Sequence, residues 1–244
     1  LIRPTHGNRV VQGYLRQITR LATAFALLGD LSMLVLGAEL KRREKLTARL
    51  SDTLGHLFLT IAVIKHFTNQ QEPEEDRPFL HWACQKNLYL AEESLWSFLH
   101  NFPVPPLAGL LRLAIFPFGR RLRYPSDRLG HQVAALITAP TQARDRLTRG
   151  VFVPAHEDES TETLSHLDCY LQLMVVCEQA EKKIQMALKQ GSIAQPDRLD
   201  RITQAEAQGL ISAEETDKLR RLEQLHQQII TADDFSNLTG KEAL

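Results

Sequence analysis

Residues 22–66 read ATAFALLGDLSMLVLGAELKRREKLTARLSDTLGHLFLTIAVIKH. Up to Ala38 the only charge is Asp30. Lys41, Arg42, Arg43, Glu44 and Lys45 then follow one another, and an apolar helical pattern resumes from Leu50. Two apolar stretches joined by a charged turn read as a helical hairpin. Upstream, Val10, Val11, Tyr14, Leu15, Ile18, Leu21, Ala22, Phe25 and Leu28 recur at spacings of three and four, so an amphipathic helix begins near Arg9. Beyond Ala24 the pattern is apolar all round, which predicts burial on most sides. Gly29 and Gly37 each cost a helix about 1 kcal/mol against Ala, so each is expected to permit a close helix approach. The run Leu21–Ala38 is 18 residues long, enough to raise the question of a membrane span. Asp30 at its centre and the two glycines favour a protein core instead.

Downstream, Leu50, Leu54, Leu57, Phe58, Ile61 and Ile64 continue as a second long helix, closed by the polar stretch Asn69–Asp76 with Pro73 and Pro78. A third helix is predicted from Phe79 to His100, ending before Pro103, Pro105 and Pro106. Leu107–Phe118 reads LAGLLRLAIFPF, followed by Gly119, Arg120, Arg121 and Arg123. Pro125-Ser-Asp opens a short helix to about Ile137, with Ser126 or Asp127 as N-cap. Residues 140–160 read mostly as loop, with room for one short helix at Thr141–Leu147. Helices return at Leu164–Leu188, and Leu199–Gln208 with Ser212–Ile230 reads as a hairpin whose second arm opens on the capping box Ser212-Ala-Glu-Glu215. Nothing reads as a strand. The fold class is all-α: a helical bundle with an appended helical extension.

The 244 residues suffice for one large or two small cored domains. Net charge is zero, but residues 1–150 hold 20 Lys+Arg against 12 Asp+Glu (+8), and residues 151–244 hold 9 against 17 (−8). The halves either neutralise each other or the basic half faces an anionic partner. Cys84, Cys169 and Cys177 form no CxxC pair, which fits a reduced compartment. The chain starts LIRPTHGNRVV without Met, so a fragment is expected.

Neither G-x-G-x-x-G, nor G-x-x-x-x-G-K-[ST], nor G-x-S-x-G occurs, which argues against a self-contained nucleotide site or a nucleophile elbow. A carboxylate-bridged di-iron bundle needs two E-x-x-H motifs. Only Glu223-Gln-Leu-His226 is present, on a helix read as outer and solvated, so no metal is assigned. Asp52 and His56, at i and i+4, read as a surface hydrogen bond, and His156-Glu-Asp-Glu as a solvated charge run. The cluster Lys41, Arg42 and Lys45 reads either as a solvated face at a bend or as a contact for an anionic group or another domain, with Glu39 able to pair with Arg42 or Arg43. Leu107–Arg123 is too short to span a bilayer. It can lie at a membrane or subunit contact through Leu110, Leu111, Leu113, Ile115, Phe116 and Phe118, with Arg120, Arg121 and Arg123 at headgroup level, or it can be a buried core helix.

Leu27-Leu-Gly-Asp-Leu-Ser-Met33, Gly37, Lys41-Arg-Arg-Glu44, Ala48-Arg-Leu-Ser-Asp52 and Pro125-Ser-Asp-Arg-Leu-Gly-His131 together resemble the C-terminal region of the large bacterial fatty-acyl-CoA dehydrogenases of β-oxidation. Further similar wording lies at His81-Trp82, Asn101-Phe-Pro103, Ile115-Phe-Pro117, Gly209-Leu-Ile-Ser212 and Asp233-Asp-Phe235. The loop reading places a linker at 150–161, and the resemblance implies residues 1–149 as part of the helical C-terminal domain and 162–244 as an appended helical extension. It implies an FAD enzyme that converts fatty acyl-CoA to trans-2-enoyl-CoA, passes electrons to an acceptor, forms a homo-oligomer and works in the bacterial cytoplasm; a peripheral place at the inner membrane is expected from Leu107–Arg123. Nucleic acid is not among the expected partners. The flavin is expected mainly on upstream regions, as is the glutamate base in its Glu-Gly motif. No Glu-Gly dipeptide occurs here, so no catalytic residue is carried over. The alternative is a stand-alone helical interaction or dimerisation module without catalysis.

Overall fold

Helix α1 spans Arg9–Leu36 and buries Val11, Tyr14, Ile18, Leu21, Ala24, Leu28 and Ser32, one stripe at spacings of three and four. This computed structural model describes residues 9–151, 162–194 and 196–230. Burial on most sides of α1 beyond Ala24 is not what the fold provides. Leu27, Met33, Leu34 and Val35 are exposed, Leu34 at 82 %. Among the described residues the next two helices pack on α1 along its buried stripe, and Leu27, Met33, Leu34 and Val35 lie outside that stripe. Asp30 lies on the open side. By length and composition alone, Arg9–Arg42 is the one stretch among the described residues long and apolar enough to cross a membrane.

The two glycines also act differently from expectation. A Cβ at Gly29 or Gly37 would meet nothing within 4 Å, so neither admits a close helix in this chain. Gly37 instead takes φ +52, the left-handed backbone that ends α1. A short 3-10 turn, Gly37–Arg42, follows, and Arg43 breaks the chain at φ −95, ψ 61. Helix α2, Glu44–Asn69, therefore starts well before the apolar pattern at Leu50. It buries Leu46, Leu50, Thr53, Leu57, Thr60, Ile64 and Phe67 in alternating steps of four and three. The two threonines are tolerated there because their hydroxyls donate to the Arg49 and His56 carbonyls, each at 2.8 Å.

Helix α3, Arg77–His100, packs along α2 and contributes Leu80, Cys84, Leu88, Ala91, Leu95 and Phe98 to the shared core. Helix α4, Pro105–Ile115, has proline in its first turn, where a missing N–H costs nothing, and buries Ala108 and Leu111 against α3. Helix α5, Asp127–Thr138, is capped by Ser126, whose Oγ accepts from the Leu129 N–H at 3.4 Å. The short helix allowed at Thr141–Leu147 exists as α6, Gln142–Thr148, capped by Thr141.

Contacts divide the chain between Ala134 and Ala135, inside α5. Of the linker expected at 150–161, residues 152–161 lie outside the described residues. The second unit has its own core. Helices α7 (Glu162–Lys189), α8 (Arg198–Ala207) and α9 (Ala213–Ile230) enclose Cys177, Ile184, Ile202, Leu219 and Leu222. Asp197 caps α8 by accepting from the Leu199 and Asp200 amides. The capping box of α9 is closed both ways: Glu215 accepts from the Ser212 N–H at 2.8 Å, and Ser212 Oγ accepts from the Glu215 N–H at 3.2 Å. The described residues are all-α.

Candidate functional site

The segment from Pro105 to Arg123 is sorted by helical period into an inner and an outer set. Ala108, Leu111 and Phe116 turn into the core, and Ile115 is half-buried. Leu110, Leu113 and Phe118 point outward, exposed at 65, 65 and 75 %. Phe116 stands edge-on to Trp96 of α3, with ring centroids 5.5 Å apart. Of the six apolar candidates, then, Leu111 and Phe116 serve the core, and the outer three are free to meet something else.

What holds the following loop is Glu92, a fully buried carboxylate on α3. Its Oε1 accepts from Arg20 Nη2 of α1 at 2.7 Å. Its Oε2 accepts the backbone N–H groups of Arg121 and Leu122 at 3.1 and 2.9 Å. One buried charge thus ties α1, α3 and the loop after α4, with both oxygens occupied. Sequence reading missed it. The signal was there: Glu92 sits in the apolar series Leu88, Leu95, Leu99, at a position where the helix faces inward.

The loop arginines differ. Arg120 lies over the Tyr89 ring at 4.7 Å and 3.7 Å from Glu93, while its Nε and Nη2 find no hydrogen-bond partner among the described residues. Arg121 lies over Phe118 at 4.6 Å. Arg121 and Arg123 are exposed. Two clefts border this loop. One, of about 470 Å³, lies between the start of α1 and the loop and is lined by Gly13, Tyr14, Gln17, Gln85, Arg121 and Arg123, among others. The other, of about 430 Å³, continues along α1 and is lined by Arg20, Thr23, Leu27, Ile115, Phe118 and Arg121, among others. No acidic side chain lines either one. The Tyr14 hydroxyl, at the edge of the first cleft, shares a hydrogen bond of 2.6 Å with His81 Nδ1. Burial pushes the phenol up to about 12 and moves His81 below its ordinary value, with Arg77 adding to the second effect.

The basic cluster is not one helical face. Lys41 and Arg42 close the 3-10 turn, Lys45 opens α2 beyond the break at Arg43, and all three are exposed. Glu39 pairs with Arg43 at 2.7 Å. The reading of Glu223 as solvated is corrected. Its side chain is buried in the second unit, 3.1 Å from Arg198 Nε, and its Oε1 accepts from Gln227 at 2.8 Å. His226, 3.9 Å from it, stacks on Tyr170. The period of α9 brings Glu223 beside Leu219 and Leu222, which is why it is inside. His56 Nδ1 lies 3.0 Å from Asn87 Oδ1, a partner on α3 rather than Asp52. Among the described residues no group of three or more His, Cys, Asp or Glu gathers as a metal site. His156–Glu159 lie outside the described residues.

Against known protein families, the model described as acyl-CoA dehydrogenase, C-terminal, bacterial type, matches residues 2–235. No solved structure matches the chain.

Proposed function

The chain belongs to the bacterial-type acyl-CoA dehydrogenase C-terminal family, and on that premise we propose that it is the helical C-terminal part of an enzyme oxidising fatty acyl-CoA to trans-2-enoyl-CoA in β-oxidation. FAD would supply the hydride acceptor for that reaction, and a carboxylate outside this chain the base for the α-proton. We place the flavin mainly on regions outside the described residues. The buried carboxylate Glu92 is held by Arg20 and two backbone amides, and Glu223 pairs with Arg198 at 3.1 Å and accepts from Gln227.

The role of the chain is structural, and the open apolar faces carry that reading. On α1 these are Leu27, Met33, Leu34 and Val35, and on α2 they are Leu54, Phe58, Leu59 and Ile61, with Phe58 at 68 % exposure. Side chains of this size on adjacent turns are placed to be covered. We assign them to contact with the rest of the enzyme or with another subunit, in the bacterial cytoplasm. The test uses the enzyme that carries this chain. Dodecanoyl-CoA should bleach its flavin, and Leu34→Asp with Phe58→Asp should lower its subunit number or flavin retention while the chain keeps its helical circular dichroism. Unchanged assembly and flavin content would refute the structural role, and absence of any bleaching would refute the enzymatic one.

A second reading, contact with the inner membrane surface, is favoured by Leu110 and Leu113 projecting from α4 beside Arg112. Leu110→Asp with Leu113→Asp, unlike changes at Leu111 or Phe116, leaves the core intact. It should abolish flotation with phosphatidylglycerol vesicles, and undiminished flotation would end this reading.

A further inference from the structure

We propose that α2 pairs with α2 of a second copy of this chain, the two helices antiparallel about a twofold axis between Leu59 and Ile61. The pairing rests on the structural role proposed above and names the partner for one of its open faces.

The outer side of α2 has the form of a helix seam. Between Asp52 and Lys65 the helix carries no Asp, Glu, Lys or Arg. Ser51, Gly55, Phe58, Ala62 and Lys65 follow one another at spacings of four and three, and all are exposed. This row lies on the far side of the helix from buried Thr53, Thr60 and Phe67. Leu54 and Ile61 flank it on one side, and Asp52, Leu59 and His66 on the other, again all exposed. Within one copy two of these residues have no purpose. A glycine inside a helix costs about 1 kcal/mol against Ala. A Cβ at Gly55 would meet nothing within 4 Å, so packing inside the chain does not call for it. Phe58 is the most exposed large apolar side chain of α2.

Charge selects the partner and the register. In an antiparallel pair related by a twofold axis, each flank meets the same flank of the other copy. One register sets Asp52 against its partner's His66 at both ends of the seam. Leu59 then meets Leu59, and Ile61 meets Ile61, near the axis. Phe58 covers its partner's Ala62, and Gly55 leaves room for the stem of its partner's Lys65, whose ammonium reaches solvent. Sliding one helix by a heptad would put Asp52 against Leu59, a charge against an apolar side chain. A parallel pair would stack Lys65 on Lys65 in the seam itself. The antiparallel register avoids both.

The experiment is sedimentation equilibrium of the 244-residue chain, with helicity checked by circular dichroism. The parent chain should dimerise reversibly at micromolar concentration. Phe58→Asp should raise the dissociation constant at least tenfold. His66→Asp sets carboxylate against carboxylate at both ends and should raise it about threefold, the size of a surface-pair effect. Adding Asp52→Lys to that variant should restore the parent value, because each end is an opposite pair again. Positions 52, 58 and 66 are exposed, so these changes leave the core of the monomer intact. A monomeric parent, a dimer indifferent to His66→Asp, or a failure of Asp52→Lys to rescue it would overturn the pairing. Should the pairing fail while Leu34→Asp with Phe58→Asp still strips flavin from the enzyme, the structural role stands and the face belongs to the rest of the enzyme.

Discussion

At position 92 a carboxylate occupies a place where the helix period calls for an aliphatic side chain. Three donors make that position tolerable, and each would lose its partner if the charge went. Glu92→Gln keeps the shape but turns one acceptor into a donor facing donors. It should cost about 2 kcal/mol, read as a lower urea midpoint with unchanged slope. Tyr14 and Cys84 bear on alkaline stability. Burial raises the Tyr14 phenol from 10.0 to about 12 and the Cys84 thiol from 9.0 to about 12. Both groups therefore hold their protons more tightly folded than unfolded, and their contribution is complete below pH 9 and lost as pH climbs toward 12. Thermal midpoints should fall across that window, and Tyr14→Phe should flatten its upper part. A flat profile in the parent chain would contradict the burial of both groups.

Among elements, α1 shows what a sequence can and cannot say. Its type was legible because the three-four spacing is sustained over its length. Its buried stripe was legible for the same reason. The fate of its other faces was not, because an all-round apolar pattern says that contacts are wanted, not that this stretch of chain supplies them. The same limit applies to Leu107–Phe118. Periodicity separates Leu110 from Leu111, but which side is inward depends on Trp96 of α3, distant in sequence. The helix end at Gly37 was hidden too, since the charged run that follows is a good helix former. The capping box at Ser212 was readable because it is local. Gly29 offers a direct test of α1. Gly29→Ala meets no obstacle in the chain and should raise its stability by about 0.5–1 kcal/mol in chemical denaturation. A loss of stability would mean that this face is already covered.

The whole molecule is two units with separate cores, one around Leu28, Leu88 and Phe98 and the other around Ile202, Leu219 and Leu222. Separate cores allow separate cooperative transitions. Leu219→Ala, at a fully buried site, should cost about 3 kcal/mol and lower one calorimetric transition while the other stays in place. Two units that always melt together would refute this independence.

The loop after α4 carries a last consequence, one of timing. Between Phe116 and Ser126 the chain forms no helix, and such stretches ordinarily exchange their amide hydrogens with water quickly. The Arg121 and Leu122 amides point at a buried carboxylate on α3 instead. Their hydrogens leave when the loop lifts off that carboxylate, so these two amides should exchange more slowly than the rest of the loop.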